Sequence, residues 1–165
     1  MAVTTEYSTE YLKKTDPRTY GYLSTNDQQI PMFMQPFTFT QGAAAGDANS
    51  LQYLWQFPPG RIVFFPKLSF YQWAAFGASR VLDIGHAAYT NESGTTVAAS
   101  ANRFDDNVDV SSAGSALMGS DQVIADAPGI EFVSTSGVDI YATVTGGTIP
   151  AGTVISGYLV YAHVG

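Results

Sequence analysis

Two runs in the last third of the sequence alternate with a period of two. In Val138–Val144 the apolar Val138, Ile140, Ala142 and Val144 share one face and Asp139, Tyr141 and Thr143 the other, the pattern of a half-buried strand. In Thr153–Ala162 both faces are apolar or aromatic: Ile155, Leu159 and Tyr161 oppose Val154, Tyr158 and Val160. Such a strand is expected to be covered on both sides and central to its sheet. Pro150 presets a turn between the runs and Gly152 fits its end, so the two are expected to pair as a hairpin. Phe57-Pro-Pro-Gly-Arg-Ile-Val63 echoes Ile149-Pro-Ala-Gly-Thr-Val-Ile155, which predicts a second hairpin on the same turn chemistry rather than a duplicated unit.

The cleanest alternation is Leu51–Phe57, which places Leu51, Tyr53, Trp55 and Phe57 in the core and Gln52 and Gln56 outside. Ile30–Thr40 contains Pro31 and Pro36, so a strand there must lie at an edge or carry a bulge. Gln41–Ser50 reads as a loop. Strands follow at Ile62–Phe65, Leu68–Phe76 and Arg80–His86, the last with Leu82 and Ile84 inward and Asp83 outward. Asn91-Glu-Ser-Gly94 predicts a hairpin between Ala87–Thr90 and Thr95–Ala99. Ser100–Gln122, rich in Asp, Ser, Gly and Asn, reads as a long surface loop, with short strands after it at Val123–Ala125 and Ile130–Val133. About eight to ten short strands without a long helix predict an all-β antiparallel sandwich of the jelly-roll kind.

That domain is expected to span residues 30–165, preceded by a polar N-terminal arm over residues 1–29. A short helix is expected over Thr5–Lys14, where Glu10 and Lys14 form a favourable pair, ending before Asp16-Pro17. The arm carries Tyr7, Tyr11, Tyr20 and Tyr22 with the cations Lys13, Lys14 and Arg18, and these seven are the candidate partner-binding residues. Tyrosine suits a contact that is apolar on one side and hydrogen-bonded at the tip. The four serve either to anchor the arm on a partner or to pack it back onto its own domain.

Composition sharpens this picture. The 165 residues suffice for one core. Charged residues are 13% of the chain against about 25% in an ordinary globular domain, and aromatics are also 13%. Low charge with many aromatics marks surface that stays out of water in an assembly. A net charge of −7 with seven basic residues excludes a phosphate-binding footprint and disfavours an anionic membrane. No apolar run approaches the ~20 residues of a membrane-spanning helix, and no signal-peptide core is visible. The absence of cysteine removes disulfides and thiolate chemistry, and fits synthesis in a reducing cytoplasm.

No catalytic constellation stands out. The two histidines, His86 and His163, lack any nucleophile-elbow context, and each reads as a packed or surface side chain. Asp105-x-Asn107-x-Asp109 begins like a calcium loop, but Val110 replaces the turn glycine and Ala116 the bidentate glutamate. Asn91-Glu-Ser93 is formally a glycosylation sequon, without consequence in the absence of secretion. The sequence therefore predicts no enzyme, no cofactor and no metal.

A resemblance runs from about Ser50 onward. Phe57-Pro-Pro-Gly-Arg61, Ala78-Ser-Arg-Val-Leu-Asp-Ile-Gly-His86, Ala88-Tyr89 with Gly94-Thr95, Phe104 with Val108-Asp-Val-Ser-Ser112, Thr148-Ile-Pro-Ala-Gly152 and Gly157-Tyr158 together resemble the decoration, or cement, proteins of tailed-phage heads. The resemblance implies a β-rich protein that docks on the exterior of the capsid, binds the major capsid protein, and forms a homo-oligomer, commonly a trimer. It supplies no catalytic residue; with the acidic charge balance it leaves no nucleic-acid or membrane partner expected, and the chain is expected to be made in the host bacterial cytoplasm. The alternative reading is a phage tail or surface carbohydrate-binding module, in which an exposed aromatic such as Trp73 stacks on sugars.

Overall fold

The computed structural model describes residues 31–119 and 129–164, together with the backbone of a short strand, β1 (Thr5–Tyr7). The strands that follow are β2 (Met32–Thr40), β3 (Leu51–Phe57), β4 (Gly60–Phe64), β5 (Phe70–Trp73), β6 (Val81–His86), β7 (Tyr89–Thr90) and β8 (Thr96–Val97). They continue as β9 (Ser100–Asp109), β10 (Gly114–Leu117), β11 (Ile130–Ser134), β12 (Val138–Thr145) and β13 (Val154–Val164), and a 3-10 turn, Pro66–Leu68, separates β4 from β5. One sheet has the order β1-β3-β12-β6-β9. The other contains β2, β4, β5, β10, β11 and β13. Their inner faces close on a single apolar core, giving the expected all-β sandwich.

In the second sheet β13 is central. One of its edges pairs with β2 from Val154↔Thr40 to Ala162↔Met32. The other pairs first with β5 (Ile155↔Trp73 to Tyr158↔Phe70) and then with β4 (Tyr161↔Phe64 to Val164↔Arg61). β4 and β5 are thus one column interrupted by the 3-10 turn, flanked in turn by β11 and β10. Ser69 repairs the interruption. Its Oγ accepts from the Val160 N–H at 2.9 Å and donates to the Phe65 carbonyl at 3.0 Å, and the residue is fully buried. Ser69→Ala would leave the Val160 N–H without a partner inside the sheet, and should lower the unfolding free energy by about 1–3 kcal/mol in a urea titration.

The two C-terminal runs alternate as expected, but they do not pair with each other. β12 lies between β3 and β6 in the first sheet, and β13 lies in the second. The Pro150–Gly152 turn carries the chain across the sandwich. The Pro58–Gly60 turn does the same between β3 and β4, so neither expected hairpin exists. A Pro-x-Gly turn reverses the chain without choosing whether the next strand adds alongside or crosses over, and both inner faces here are apolar enough to accept the crossing. Another crossing, residues 41–50, runs beside the Pro150 turn: Gly46 and Ile149 exchange both backbone hydrogen bonds at 2.8 and 2.9 Å. The hairpin at Asn91 does form, with Tyr89↔Val97 and Thr90↔Thr96 in register.

Two further expectations are corrected. In β3 the register against β12 passes from Trp55↔Ile140 to Tyr53↔Tyr141, so Leu54 is a bulged residue. The extra residue reverses the faces of the N-terminal half: Trp55, Phe57 and Leu54 are buried as core, while Gln52 turns inward and Leu51 and Tyr53 are left half-exposed. Ser100–Gln122 is no loop through most of its length, for it contains β9 and β10. β9 reads as irregular because it bulges twice against β6, once around Asp83 and once opposite Gly85, where a Cβ would lie 1.9 Å from the Ser100 carbonyl oxygen. The expected helix at Thr5–Lys14 begins instead as β1, which pairs in parallel with Leu51–Tyr53 of β3. The expected strand Val123–Ala125 lies outside the described residues.

An aromatic cluster joins the sheets. Phe57 of the first meets Phe64, Phe132 and Tyr161 of the second at ring-centroid distances of 5.1, 6.0 and 5.0 Å. Phe104 meets Phe64 edge-on at 5.0 Å. Five of the aromatics between Leu51 and Phe76, namely Trp55, Phe57, Phe64, Tyr71 and Phe76, line this one interior.

Candidate functional site

Among the described residues, both histidines and the acidic run make contacts within the fold. His86 sits in the aromatic cluster, 5.4 Å from the Phe132 ring and 5.8 Å from Tyr89, and its Nδ1 donates to the Ala87 carbonyl at 2.9 Å. Burial lowers its pKa below the ordinary histidine value, ahead of the opposing effect of that hydrogen bond. The unfolded chain thus binds a proton more readily than the fold, and the stability His86 gives is complete above about pH 6.5 and lost as pH falls below it. Urea midpoints should fall between pH 7.5 and 5.5 in the wild type, and His86→Leu should flatten that slope. His163 lies elsewhere, with Nε2 3.3 Å from the Pro59 carbonyl oxygen. No relay joins the two histidines.

The acidic run is strand rather than calcium loop. Asp105 is buried and accepts from the Gly119 N–H at 2.9 Å, Asp106 accepts from the Asn107 amide at 2.8 Å, and Asp109 accepts from the Ser111 N–H at 2.8 Å. Asp83 accepts from the Asn107 N–H at 2.7 Å, and desolvation, reinforced by the nearby Asp106 charge, raises its pKa. Among the described residues no group of three or more acidic or histidine side chains is arranged to hold a metal ion. Asn91 of the sequon caps its own turn, accepting from Ser93 N–H and Thr95 N–H at 3.1 and 2.9 Å.

Of the arm residues, Tyr7 lies in β1 with its backbone opposite Tyr53. Tyr11, Lys13, Lys14, Arg18, Tyr20 and Tyr22 lie outside the described residues. Trp73 lines an open groove with Gln72, Gly114 and Ser156, but its indole N–H donates to the Ser112 carbonyl at 2.9 Å. A Cβ on Gly114 would come within 2.7 Å of its ring, so the Gly114 backbone covers it closely.

The feature that the core does not explain is the outer face of the second sheet. Phe37, Phe39, Ile155, Leu159, Tyr161, Ile62, Phe64 and Tyr71 point into the sandwich, so the alternate positions on these strands point out. There Pro36, Tyr158, Phe70 and Leu117 stand in register across all four columns, with the Phe70 and Tyr158 rings stacked at 5.9 Å. The next positions add Met34 beside Val160, then Met32, Ala162 and Val63 in a further row that ends at Glu131, with Val160 and Ala162 buried. On the opposite side the face turns polar, through Thr38, Ser156, Gln72 and Ser115 in register. Met32 (56% exposed), Met34 (67%), Leu68 (52%) and Leu117 (52%) are the exposed large apolar side chains among the described residues, and all four belong to this sheet or its 3-10 turn.

Charge is divided between the sheets. The strands of the second sheet carry Arg61 and Glu131, which are paired with each other at the border of the apolar face, and Lys67 stands in the 3-10 turn. From β3 to β9 the first sheet carries Asp83, Asp105, Asp106, Asp109 and Asp139 against Arg103, with Asp83, Asp106 and Asp109 gathered at its β6–β9 side. Sequence reading did not isolate the apolar face. Met32, Met34 and Pro36 alternate visibly with Phe33, Gln35 and Phe37, but which set faces out is decided only by the register with β13.

Comparison with solved structures finds this fold in two virus particles. It matches a chain in the capsid of Ralstonia phage GP4 over 98% of this chain and 99% of that one, with a TM-score of 0.61 and 12% identity. It matches a chain of the cyanophage Pam1 capsid asymmetric unit over 90% of this chain and 100% of that one, with a TM-score of 0.50 and 12% identity. No protein family profile matches the sequence, and no curated protein does.

Proposed function

We propose that this chain is a structural protein of a bacteriophage virion, a cement protein that binds the exterior of the head through the major capsid protein and stabilises the mature shell. The observation that carries the reading is the whole-length likeness of fold to a chain within a phage capsid, covering 98% of one chain and 99% of the other. The low charge content, the exposed apolar side chains and the engagement of both histidines in packing or backbone contacts all favour a structural role over an enzymatic one. The order of the short motifs from Phe57 to Tyr158 supports the cement assignment, and with it a homo-oligomer, a trimer by the same resemblance.

The mechanism is linkage. A protein that binds only the mature lattice lowers the free energy of that state relative to precursor and ruptured shells. Many weak contacts, multiplied over an oligomer and a lattice, make the attachment effectively tight. The arm, residues 1–29, reaches a neighbouring subunit in this reading. Deleting it should weaken attachment to particles, and unchanged binding would remove the arm from the mechanism. The decisive measurement is the copy number per purified particle, by quantitative mass spectrometry against the major capsid protein. Hundreds of copies in a fixed ratio are expected, whereas a handful would indicate a tail component.

A further inference from the structure

We infer that the outer face of the second sheet, centred on Met34, Tyr158, Phe70 and Leu117, is the surface that seats this protein on the shell, with the Asp83–Asp106–Asp109 side of the other sheet turned away. The inference rests on the cement reading and specifies which face docks and what it meets: an uncharged, apolar patch on the major capsid protein.

Three observations select that occupant. The face offers apolar and aromatic groups in consecutive in-register rows, and its bordering charges Arg61 and Glu131 already satisfy each other. Among the described residues a phosphate-rich or acidic surface would find Lys67 alone beside that satisfied pair, whereas a neutral protein surface needs no countercharge. The second observation is size. Nine apolar positions in three rows, with columns about 4.8 Å and rows ~7 Å apart, give a patch of at most ~300 Å², and two of them, Val160 and Ala162, are themselves buried. Each partner in a stable complex contributes about 800 Å², so two copies meeting only through this face would not hold together in dilute solution. A lattice that presents many equivalent seats to an oligomer suits a patch of that size. Thirdly, Pro36 stands in the middle of β2, the strand at the sheet's edge, and removes a backbone donor there, which disfavours strand addition and leaves the flat face as the contact.

The test uses particles assembled without this chain, to which the purified full chain is added and bound copies per particle are counted. Wild type is expected to saturate a fixed number of seats. Met34→Glu with Leu117→Glu, both at exposed positions, should lower apparent affinity at least 100-fold while unfolding midpoint and near-ultraviolet circular dichroism stay at wild-type values. Asp106→Lys on the opposite sheet should bind within twofold of wild type. If the double variant does not fold, Leu68→Glu in the 3-10 turn replaces it, with at least a tenfold loss expected. Wild-type binding that survives these substitutions would overturn the assignment of the face and leave the cement reading standing. Failure of the wild type to bind any particle would overturn the cement reading and this inference with it. Self-association of the free chain that the double variant abolishes, with particle binding intact, would assign the face to a second copy and overturn the capsid protein as its occupant.

Discussion

Truncating Phe57 to alanine is expected to cost about 3–5 kcal/mol of folding stability, a large share of the roughly 5–15 kcal/mol available to a domain. Phe57 is fully buried, and it is the first-sheet side chain that touches three aromatic rings of the second: Phe64, Phe132 and Tyr161. Removing it leaves a cavity between two sheets whose backbones are fixed by their own ladders and cannot close on the space. Chemical denaturation should show a lower midpoint with little change in slope, and a Phe57→Leu variant should recover more than half of the loss. A cost below about 1 kcal/mol would mean that the sheets are held together elsewhere.

A still larger effect is expected from adding one methyl group at Gly157. A Cβ there would lie 2.1 Å from the Phe70 carbonyl oxygen and 2.7 Å from the Tyr71 Cα, both backbone atoms of β5. No side-chain rotation relieves such a contact, so β5 must separate from β13. Gly157↔Tyr71 is one of four registered pairs that join these strands, and β10 is attached to the sheet through β5. Gly157→Ala is therefore expected to exceed about 4 kcal/mol, in the range reserved for disrupted backbone packing. Hydrogen exchange should show lost protection concentrated in Phe70–Trp73 and Gly114–Leu117. Gly152→Ala, at a turn glycine of positive φ with open space around it, makes the contrast: its strain is local and its cost should be about 1 kcal/mol.

How far the fold could be read ahead depended on whether each feature was local. The inward Leu82 and Ile84 with outward Asp83, the edge position of the Pro36 strand, the Asn91 turn and the centrality of the last strand all follow from side-chain period or turn chemistry, and all are present. Partner choice is not local. Val138–Val144 and Val154–Ala162 look like a hairpin from any window that contains both, and only the competing offers from β3, β6, β2, β4 and β5 draw them into different sheets. The bulge at Leu54 was invisible for a related reason. Perfect alternation in Leu51–Phe57 predicts a straight strand, and the extra residue appears only in the register against Ile140 and Tyr141. β9 was hidden because its polar residues alternate irregularly around two bulges. Of the candidate surfaces, the shortage of charge was plain in the composition, but its concentration on one face required the in-register rows of four separate segments.

The position of β13 also governs the order in which the molecule can be completed. β2, β4 and β5 all pair with it, yet every one of them leaves the ribosome before it does, and β2 precedes it by more than a hundred residues. Until Val154–Val164 emerges, the second sheet has no centre, and its strands wait with unpaired backbone and an exposed apolar interior. Such long-range closure is slow and open to intermolecular pairing. Premature termination anywhere upstream of Val154 would then yield an aggregating fragment rather than a smaller domain. The outer rows that depend on β13 for their register likewise cannot form before synthesis has passed that strand.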